Sequence, residues 1–328
     1  MSDANKHVNQ NTIVQTIAAD MDAVNTVIRQ KLHSDVILIN QIAEYIISAG
    51  GKRIRPVLIL LVANAHAYRG TAHHELAAVV EFIHTATLLH DDVVDESSMR
   101  RGRQTANALF GNAASVLVGD FLHSRSFQLM VSLNNMRVMQ ILSDATNVIA
   151  EGEVLQLLNM HDPDVTQESY LNVIRSKTAK LFEASAQLGA LIAGASEADI
   201  EAAAEYGRSL GTAFQLIDDV LDYAGDAAEI GKNVGDDLRE GKPTLPLIRV
   251  LQVGSPAQQA LIRNAIETGE ADFAAVAAAI RETDALQYTR AAAVAEADAA
   301  QKAVSGFPVS EFSKSLVEFC AFAVTRDR

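Results

Sequence analysis

The sequence is poor in residues that cross-link or interrupt a chain. Its 328 residues include one cysteine, six prolines and no tryptophan. The lone Cys320 excludes an intrachain disulfide and is typical of a reducing compartment, so we expect a cytoplasmic protein. No apolar run approaches the roughly 18 residues of a membrane span. The polar start MSDANKHVNQN has no apolar signal-peptide core.

Positive charge is also scarce. The chain has 27 lysines and arginines against 41 aspartates and glutamates, a formal net charge of −14. Proteins that hold nucleic acid through its phosphates are usually basic, so we expect no nucleic-acid partner. Hydrophobic residues make up 49% of the chain, which predicts a globular protein with a sizeable core.

Helical periodicity dominates the sequence, and no Asn-Gly or Asp-Gly turn separates alternating apolar and polar runs. We predict one all-α domain over 13–328, preceded by a frayed polar segment over 1–12. Loops are expected at four stretches rich in Gly, Pro, Ser or Asp: 50–56, 97–105, 160–165 and 225–243. The predicted helices lie near 13–32, 36–49, 55–67, 72–96, 106–133, 136–158, 167–194, 198–226, 243–252, 257–268, 284–303 and 309–324.

Two acidic triads carry the strongest chemical signal. HDDVVDESS contains Asp91, Asp92 and Asp95, and FQLIDDVLDY contains Asp218, Asp219 and Asp222. On a helix, residues i and i+4 share a face, so their carboxylates repel one another unless cations neutralise them. Carboxylate oxygens favour hard cations such as Mg²⁺, which keeps coordination positions for water and substrate phosphates. Each triad therefore predicts half of a Mg²⁺–phosphate site. A solvated acidic face paired with surface arginines is the alternative.

Basic residues cluster close to both triads. Lys52, Arg53 and Arg55 lie in GGKRIRP, Arg100 and Arg101 follow the first triad, and Lys232 and Lys242 follow the second. Arginine binds phosphate through two parallel hydrogen bonds, and lysine binds it as a point charge. Central acids with surrounding bases predict a site for a polyphosphate and a metal ion.

Five segments resemble, in the same order, the motifs of the trans-isoprenyl diphosphate synthases, or polyprenyl synthetases. They are GGKRIRP, IHTATLLHDDVVDESSMRRG, KTA, FQLIDDVLD and GKNVGDDLREGKPTLPL, and the RDR ending is similar to bacterial members that make an octaprenyl product. The resemblance implies a homodimeric, all-α isoprenoid-synthase bundle around a central cavity. It also implies that an allylic diphosphate, such as farnesyl diphosphate, is elongated with isopentenyl diphosphate for a quinone side chain.

The resemblance also implies roles for individual residues. Mg²⁺ would be held by Asp91, Asp95 and Asp218, while Asp92, Asp219 and Asp222 would complete the cage. The isopentenyl diphosphate site would contain Lys52, Arg55, His84 and Arg101. The allylic site would contain Arg100, Lys177, Thr178, Gln215 and Lys232, with Thr178 and Gln215 also placing oxygens near a carbocation.

Small residues before the first triad bear on product length. Ala86 and Thr87 precede Asp91 by five and four residues, about 6–7.5 Å along a helix, so a growing tail would pass them. Because neither is aromatic, we predict a long-chain product. Phe127 and Met130 are candidates for the tunnel floor, although both could equally be plain core residues.

Other functions remain open at this point. A shorter-chain, geranylgeranyl-type synthase would use the same motifs, and a non-catalytic partner subunit would bind Mg²⁺–diphosphate without turnover. The His90–Asp91 dipeptide suggests an HD-type phosphohydrolase, and one acidic motif is shared with terpene cyclases. Transient membrane contact of an apolar product is conceivable, but no basic amphipathic helix predicts stable anchoring.

Overall fold

The computed structural model describes residues 10–100, 102–224, 235–270 and 272–326, and most of them are helical, as predicted. The first helices are α1 (Gln10–Gln15), α2 (Ala18–Leu32), α3 (Ile37–Ser48), α4 (Ile54–Ala65), α5 (Ala72–Val94), α6 (Ala106–Phe110), α7 (Asn112–Ser132), α8 (Met136–Asn159) and α9 (Gln167–Ile174). A π-helix (Arg175–Ala179) follows, then α10 (Lys180–Ile192), α11 (Glu197–Ala224), α12 (Asp236–Arg239), α13 (Leu245–Val253), α14 (Pro256–Thr268), α15 (Phe273–Glu282), α16 (Ala285–Ala303), a 3₁₀ turn (Val304–Gly306) and α17 (Glu311–Thr325).

Several boundaries differ from those predicted. The helix predicted over 13–32 is broken by a turn after Gln15, and the one predicted over 167–194 contains the π-helical turn. Helix α15 falls in a stretch without a predicted helix. The predicted loop over 97–105 contains a short antiparallel hairpin of β1 (Met99–Arg100) and β2 (Arg103–Gln104), which Gly102 closes at φ 72°.

Helices α4 and α5 lie at the centre of the bundle. The run Val57–Ala63 of α4 is buried on every side, and α5 buries residues all round its axis over its first five turns. A helix that is apolar all round belongs inside a bundle. The core helix α5 therefore holds its C-terminal end, and the first acidic triad, in a fixed place.

Close backbone approaches fix the position of the π-helix between its neighbours. A Cβ on Gly152 of α8 would lie 2.9 Å from the backbone nitrogen of Lys177, and one on Gly211 of α11 would lie 2.7 Å from Cα of Ala179. The π-helix is thus held between α8 and α11 at two positions where a side chain would not fit. None of the helices among the described residues is both long and apolar enough to cross a membrane.

Candidate active site

The ends of these helices surround one cavity of about 660 Å³. Most of the predicted site residues lie on its wall: Lys52, Arg55, His84, Thr87, Asp91, Asp95, Arg100, Lys177, Thr178, Gln215, Asp218, Asp219 and Asp222. The wall does not include Ala86, Asp92 or Met130. Arg101 and Lys232 lie outside the described residues.

The first triad is split between the cavity and the core. Asp91 and Asp95 lie on the wall, whereas Asp92 is 1% exposed and accepts hydrogen bonds from Nε and Nη2 of Arg100, each at 2.7 Å. Arg100, predicted to contact the allylic substrate, thus already has a carboxylate partner. The expected cage of three carboxylates is reduced to two at this triad, with Asp92 holding the arginine in place.

The middle residue of the second triad is also buried, although it contributes to the cavity wall. Asp219 is 2% exposed and accepts hydrogen bonds from the Tyr170 hydroxyl and from Nε2 of Gln215, the latter at 2.9 Å. The Thr178 hydroxyl donates to Oε1 of Gln215 at 3.0 Å. Burial, reinforced by the negative charge of Asp237, raises the pKa of Asp219 well above its usual value despite these hydrogen bonds. Asp219 therefore belongs to a hydrogen-bonded chain that runs from Tyr170 through Gln215 to Thr178.

The outer residues of the second triad face the cavity. Nη2 of Arg326 lies 2.7 Å from Oδ1 of Asp218 and donates to the backbone oxygen of Phe214 at 2.6 Å. The Arg326 side chain is 3% exposed and stacks on the Phe214 ring. Oδ2 of Asp222 accepts a hydrogen bond from the backbone nitrogen of Asp237 at 3.3 Å. Arg326 thus forms an ion pair with Asp218, one of the carboxylates predicted to hold the metal ion.

Two lysines lie close to the carboxylates of the first triad and of Glu153. Nζ of Lys177 lies 2.6 Å from Oε2 of Glu153, and Nζ of Lys242 lies 3.3 Å from Oδ1 of Asp95. Burial raises the pKa of both Asp91 and Glu153 above their usual values, although the charge of Lys177 opposes the shift. Buried carboxylates that resist ionisation are groups that a bound cation would stabilise.

Three of the predicted isopentenyl diphosphate residues also lie on the wall, two of them against aromatic rings. Nζ of Lys52 lies 5.3 Å from the Phe214 ring centroid, and the guanidinium carbon of Arg55 lies 4.7 Å from that of Phe182. His84 lies on the same wall. These aromatic faces support the cations in a partly apolar setting, where an electrostatic bond to a diphosphate is stronger than in water.

The donor set fits a hard divalent cation shared with a substrate. Within the described ranges, the triads contain no three ligand groups whose donor atoms lie within 4.8 Å of one another. Two carboxylates on α5 and others on α11 nevertheless face the same cavity. Mg²⁺ is usually held in this way, by one or two carboxylates together with waters and substrate phosphates. An HD-type centre would need histidines at Asp91, but Nε2 of His90 contacts the backbone oxygen of Val116 on α7.

Only one of the three predicted chain-length residues lies on the cavity wall. Thr87 lies on the cavity wall and donates a hydrogen bond to the backbone oxygen of His84 at 2.8 Å. Ala86 is 2% exposed and Met130 is fully buried, and neither reaches the wall. Of the three, only Thr87 would meet a bound tail directly.

Sequence reasoning missed several residues of the site. The wall also contains Glu153, Tyr170, Asp237 and Arg326. Glu153 and Asp237 lie in acidic stretches, EGE and GDD, which give a weak signal. Tyr170 is joined to Asp219 across 49 residues, a contact that local sequence does not reveal.

Comparison with known proteins agrees with this geometry. The family model described as "Polyprenyl synthetase" matches residues 36–283. The octaprenyl diphosphate synthase of Escherichia coli (strain K12) is 54% identical over 323 residues, which is 98% of this chain and 100% of that protein. A decaprenyl diphosphate synthase from Rhodobacter capsulatus is 47% identical with a TM-score of 0.93, covering 98% of this chain and 100% of its own.

A further solved structure contains bound ligands. The polyprenyl synthase from Caulobacter crescentus CB15, complexed with calcium and isoprenyl diphosphate, is 45% identical with a TM-score of 0.95, covering 99% of this chain and 100% of its own. The chain therefore belongs to the polyprenyl synthetase family, divalent-metal-dependent trans-prenyltransferases that elongate allylic diphosphates with isopentenyl diphosphate to all-trans polyprenyl diphosphates.

Proposed function

We propose that this chain is a Mg²⁺-dependent octaprenyl diphosphate synthase that extends farnesyl diphosphate for a quinone side chain. One observation carries the proposal: the carboxylates of both triads and the basic residues of three motifs meet on the wall of a single cavity. The eight-unit product follows the E. coli relative, which is 54% identical over its whole length.

Asp91, Asp95 and Asp218 are the proposed metal ligands, because their carboxylates face the cavity while Asp92 and Asp219 are buried. When bound, Mg²⁺ would stabilise the negative charge that develops on the departing diphosphate. Asp222 completes the acidic wall. Asp92 and Asp219 act indirectly, through Arg100 and Gln215 respectively.

The allylic diphosphate would bind cations that already form ion pairs at the cavity wall. Lys177 is paired with Glu153 and Arg100 with Asp92, so both cations already lie at the cavity wall. Binding of a diphosphate adds a second anionic partner to each and requires no large side-chain movement. The Thr178 hydroxyl and the Gln215 amide present oxygens to the carbon that becomes positive.

Isopentenyl diphosphate would bind at Lys52, Arg55 and His84, on the wall next to Phe214 and Phe182. Its double bond then attacks the allylic cation, and loss of a proton restores an allylic diphosphate longer by one isoprene unit. Arg101 and Lys232, outside the described residues, are proposed contacts on their motifs alone.

We propose that the tail extends past Thr87, with Met130 behind the wall as a floor residue. Met130→Ala is then expected to lengthen the product, and unchanged length would remove Met130 from this role. A homodimer and a cytoplasmic location are also proposed. Leu117 and Val131 of α7 are exposed apolar residues that suit a dimer contact, and the lone Cys320 suits a reducing compartment.

An elongation assay tests the proposal directly. Purified chain, Mg²⁺, farnesyl diphosphate and labelled isopentenyl diphosphate are incubated, and the products are sized by mass spectrometry. A dominant eight-unit product is expected. A different length would keep the chemistry and reject the octaprenyl assignment. No product, with wild type and Asp91→Ala indistinguishable, would reject catalysis and leave a binding role.

A further inference from the structure

A second group of metal-binding side chains lies at the opposite end of α5. Asp20 of α2 and His73 and His74 in the first turn of α5 have ligand atoms that all lie within 4.8 Å of one another. At about 1.5 Å of rise per residue, His74 is about 25 Å from Asp91 along α5. None of the three residues lines the active-site cavity. This cluster is therefore separate from the proposed Mg²⁺ site.

Both imidazole rings point at the same carboxylate oxygen. Nε2 of His74 lies 2.8 Å and Nε2 of His73 lies 3.4 Å from Oδ1 of Asp20. A tetrahedral zinc ion, with bonds of about 2.0–2.1 Å, separates its ligand atoms by about 3.3 Å. The two histidine–aspartate spacings, 2.8 and 3.4 Å, lie on either side of that value, and the two imidazole nitrogens are within 4.8 Å of each other. Small side-chain movements therefore suffice to admit an ion between the three atoms.

The cluster is partly closed to solvent. His73 is 4% exposed, and its imidazole lies against the Asp20 carboxylate. Imidazole and carboxylate are side chains that bind metal in their deprotonated forms.

Neighbouring side chains hold these groups in place. Nδ2 of Asn64 donates to Oδ2 of Asp20 at 2.8 Å and to the backbone oxygen of Leu60 at 2.9 Å, which leaves Oδ1 facing the histidines. The two imidazole rings stack with centroids 3.9 Å apart, and the Tyr68 ring packs against His73 at 5.1 Å. Supporting contacts of this kind orient ligands at metal sites and raise their affinity.

We propose that Asp20, His73 and His74 form a binding site for a transition-metal ion of the Zn²⁺ class, with the fourth coordination position open to water. Imidazole nitrogen with one carboxylate favours such ions over Mg²⁺, which prefers oxygen ligands alone. The ion would join α2 to the start of α5 and so support the core helix that carries the first triad. The Asp20 and His74 side chains are 27% and 15% exposed, which leaves a path for entry.

Cobalt provides the test, because Co²⁺ in a four-coordinate site with nitrogen ligands absorbs visible light far more strongly than in an octahedral oxygen site. The full chain is stripped with a chelator and titrated with Co²⁺ without Mg²⁺ or substrate, then with Zn²⁺. We expect saturation at one strongly absorbing ion per chain, displaced by Zn²⁺. Asp20→Asn and His74→Gln are each expected to weaken Co²⁺ binding by about 100-fold or more, since even the loss of an outer-shell partner costs about 10–100-fold at such sites. His33→Gln, at an exposed histidine outside the cluster, should bind like wild type.

Two further readouts make the result decisive. Zn²⁺ should raise the unfolding midpoint of wild type and of Asp91→Asn, but not that of His74→Gln. Elongation by Asp20→Asn and His74→Gln in Mg²⁺ should match wild type, which also shows that these variants fold. Equal Co²⁺ binding by wild type and His74→Gln, or no strongly absorbing ion in wild type, would overturn the proposal and leave a hydrogen-bonded contact between α2 and α5.

Discussion

Tyr170 donates a hydrogen bond to Asp219, the middle residue of the second acidic triad, and both residues are buried. Gln215 donates to the other oxygen of Asp219, and Thr178 donates to Gln215. The middle aspartate of the triad is therefore a fixed acceptor at the cavity wall. Its effect on the reaction depends on the two residues that it orients and on Tyr170, which orients it.

Removing the Tyr170 hydroxyl should impair catalysis without unfolding the protein. Tyr170→Phe leaves Asp219 with one side-chain donor fewer, and the loss of a hydrogen bond to a buried charged group costs about 1.5–3 kcal/mol. We expect kcat for elongation to fall by roughly tenfold to 100-fold, with weaker Mg²⁺ dependence. Tyr206→Phe is the matched control, because Tyr206 is equally buried but donates to Leu316 in the core. If both variants lost stability equally and both retained the wild-type kcat, Tyr170 would have no positioning role.

The sequence predicted that both triads would face one cavity. It did not predict that the middle residue of each triad would be buried, nor that Asp92 would lie off the cavity wall. In each triad the buried residue is the one at i+1, which a helix rotates by about 100° from residue i. That rotation carries it toward the core when the other two face the cavity. Spacing alone does not indicate which face the bundle covers, because neighbouring helices decide this.

The unpredicted local structures have similar causes. The π-helix at Arg175–Ala179 results from one widened turn within a helical sequence, and its position is fixed by Gly152 and Gly211 on neighbouring helices. Helix α15 is short and follows closely after the turn at Gly269. Its N-cap is Asp272, whose side chain accepts hydrogen bonds from the backbone nitrogens of Ala274 and Ala275. Such long-range packing and short capped segments leave little periodic signal.

The buried Glu153 should make the protein less stable as pH rises. Burial raises its pKa above the usual 4.5, so the folded state binds the proton more tightly than the unfolded state does. Its destabilising contribution is absent below pH 4.5 and grows as pH rises through the folded-state pKa. We expect the stability of Glu153→Gln relative to wild type to increase from acidic to neutral pH, because the glutamine side chain does not titrate.

Denaturant unfolding of the metal-free chain across this pH range measures the difference. Glu151→Gln, at an exposed residue of the same helix, is the control and should show no such trend. A difference between wild type and Glu153→Gln that stays constant with pH would contradict the expected titration.

Gly152 should tolerate no side chain. An added Cβ would lie 2.8 Å from Cβ of Ser176 and 2.9 Å from the backbone nitrogen of Lys177, so α8 must move away from the π-helix. Gly152→Ala is expected to cost about 1–3 kcal/mol of stability and to raise the KM for the allylic diphosphate, since Glu153 would no longer hold Lys177. Gly306→Ala has no atom within 4 Å of the added Cβ and is the control. Unchanged KM in Gly152→Ala would show that the close approach is not needed.

Arg326 should compete with metal for Asp218. Its guanidinium group lies 2.7 Å from the carboxylate, so metal binding must displace or share this contact. Arg326→Gln leaves Asp218 without that cation, and we expect a lower unfolding midpoint for the metal-free chain and a larger rise on adding Mg²⁺ than in wild type. Differential scanning fluorimetry over a Mg²⁺ series measures both. Arg137→Gln, which removes an exposed ion pair with Glu197, should leave both unchanged. An equal Mg²⁺ response in Arg326→Gln and wild type would reject the competition.

Thr87 offers the most direct test of how product length is set. It lies on the cavity wall four residues before Asp91, so its side chain faces the space where a growing tail would pass. Thr87→Phe introduces an aromatic ring on that wall, and we expect shorter products with undiminished addition of the first isoprene unit, because the diphosphate sites are unaltered. Thr87→Ser keeps a hydroxyl able to hydrogen-bond His84 and should give wild-type lengths. Mass spectrometry of the products resolves the two. If Thr87→Phe made full-length chains, the tail would have to leave the cavity by a route that does not pass α5 at this position.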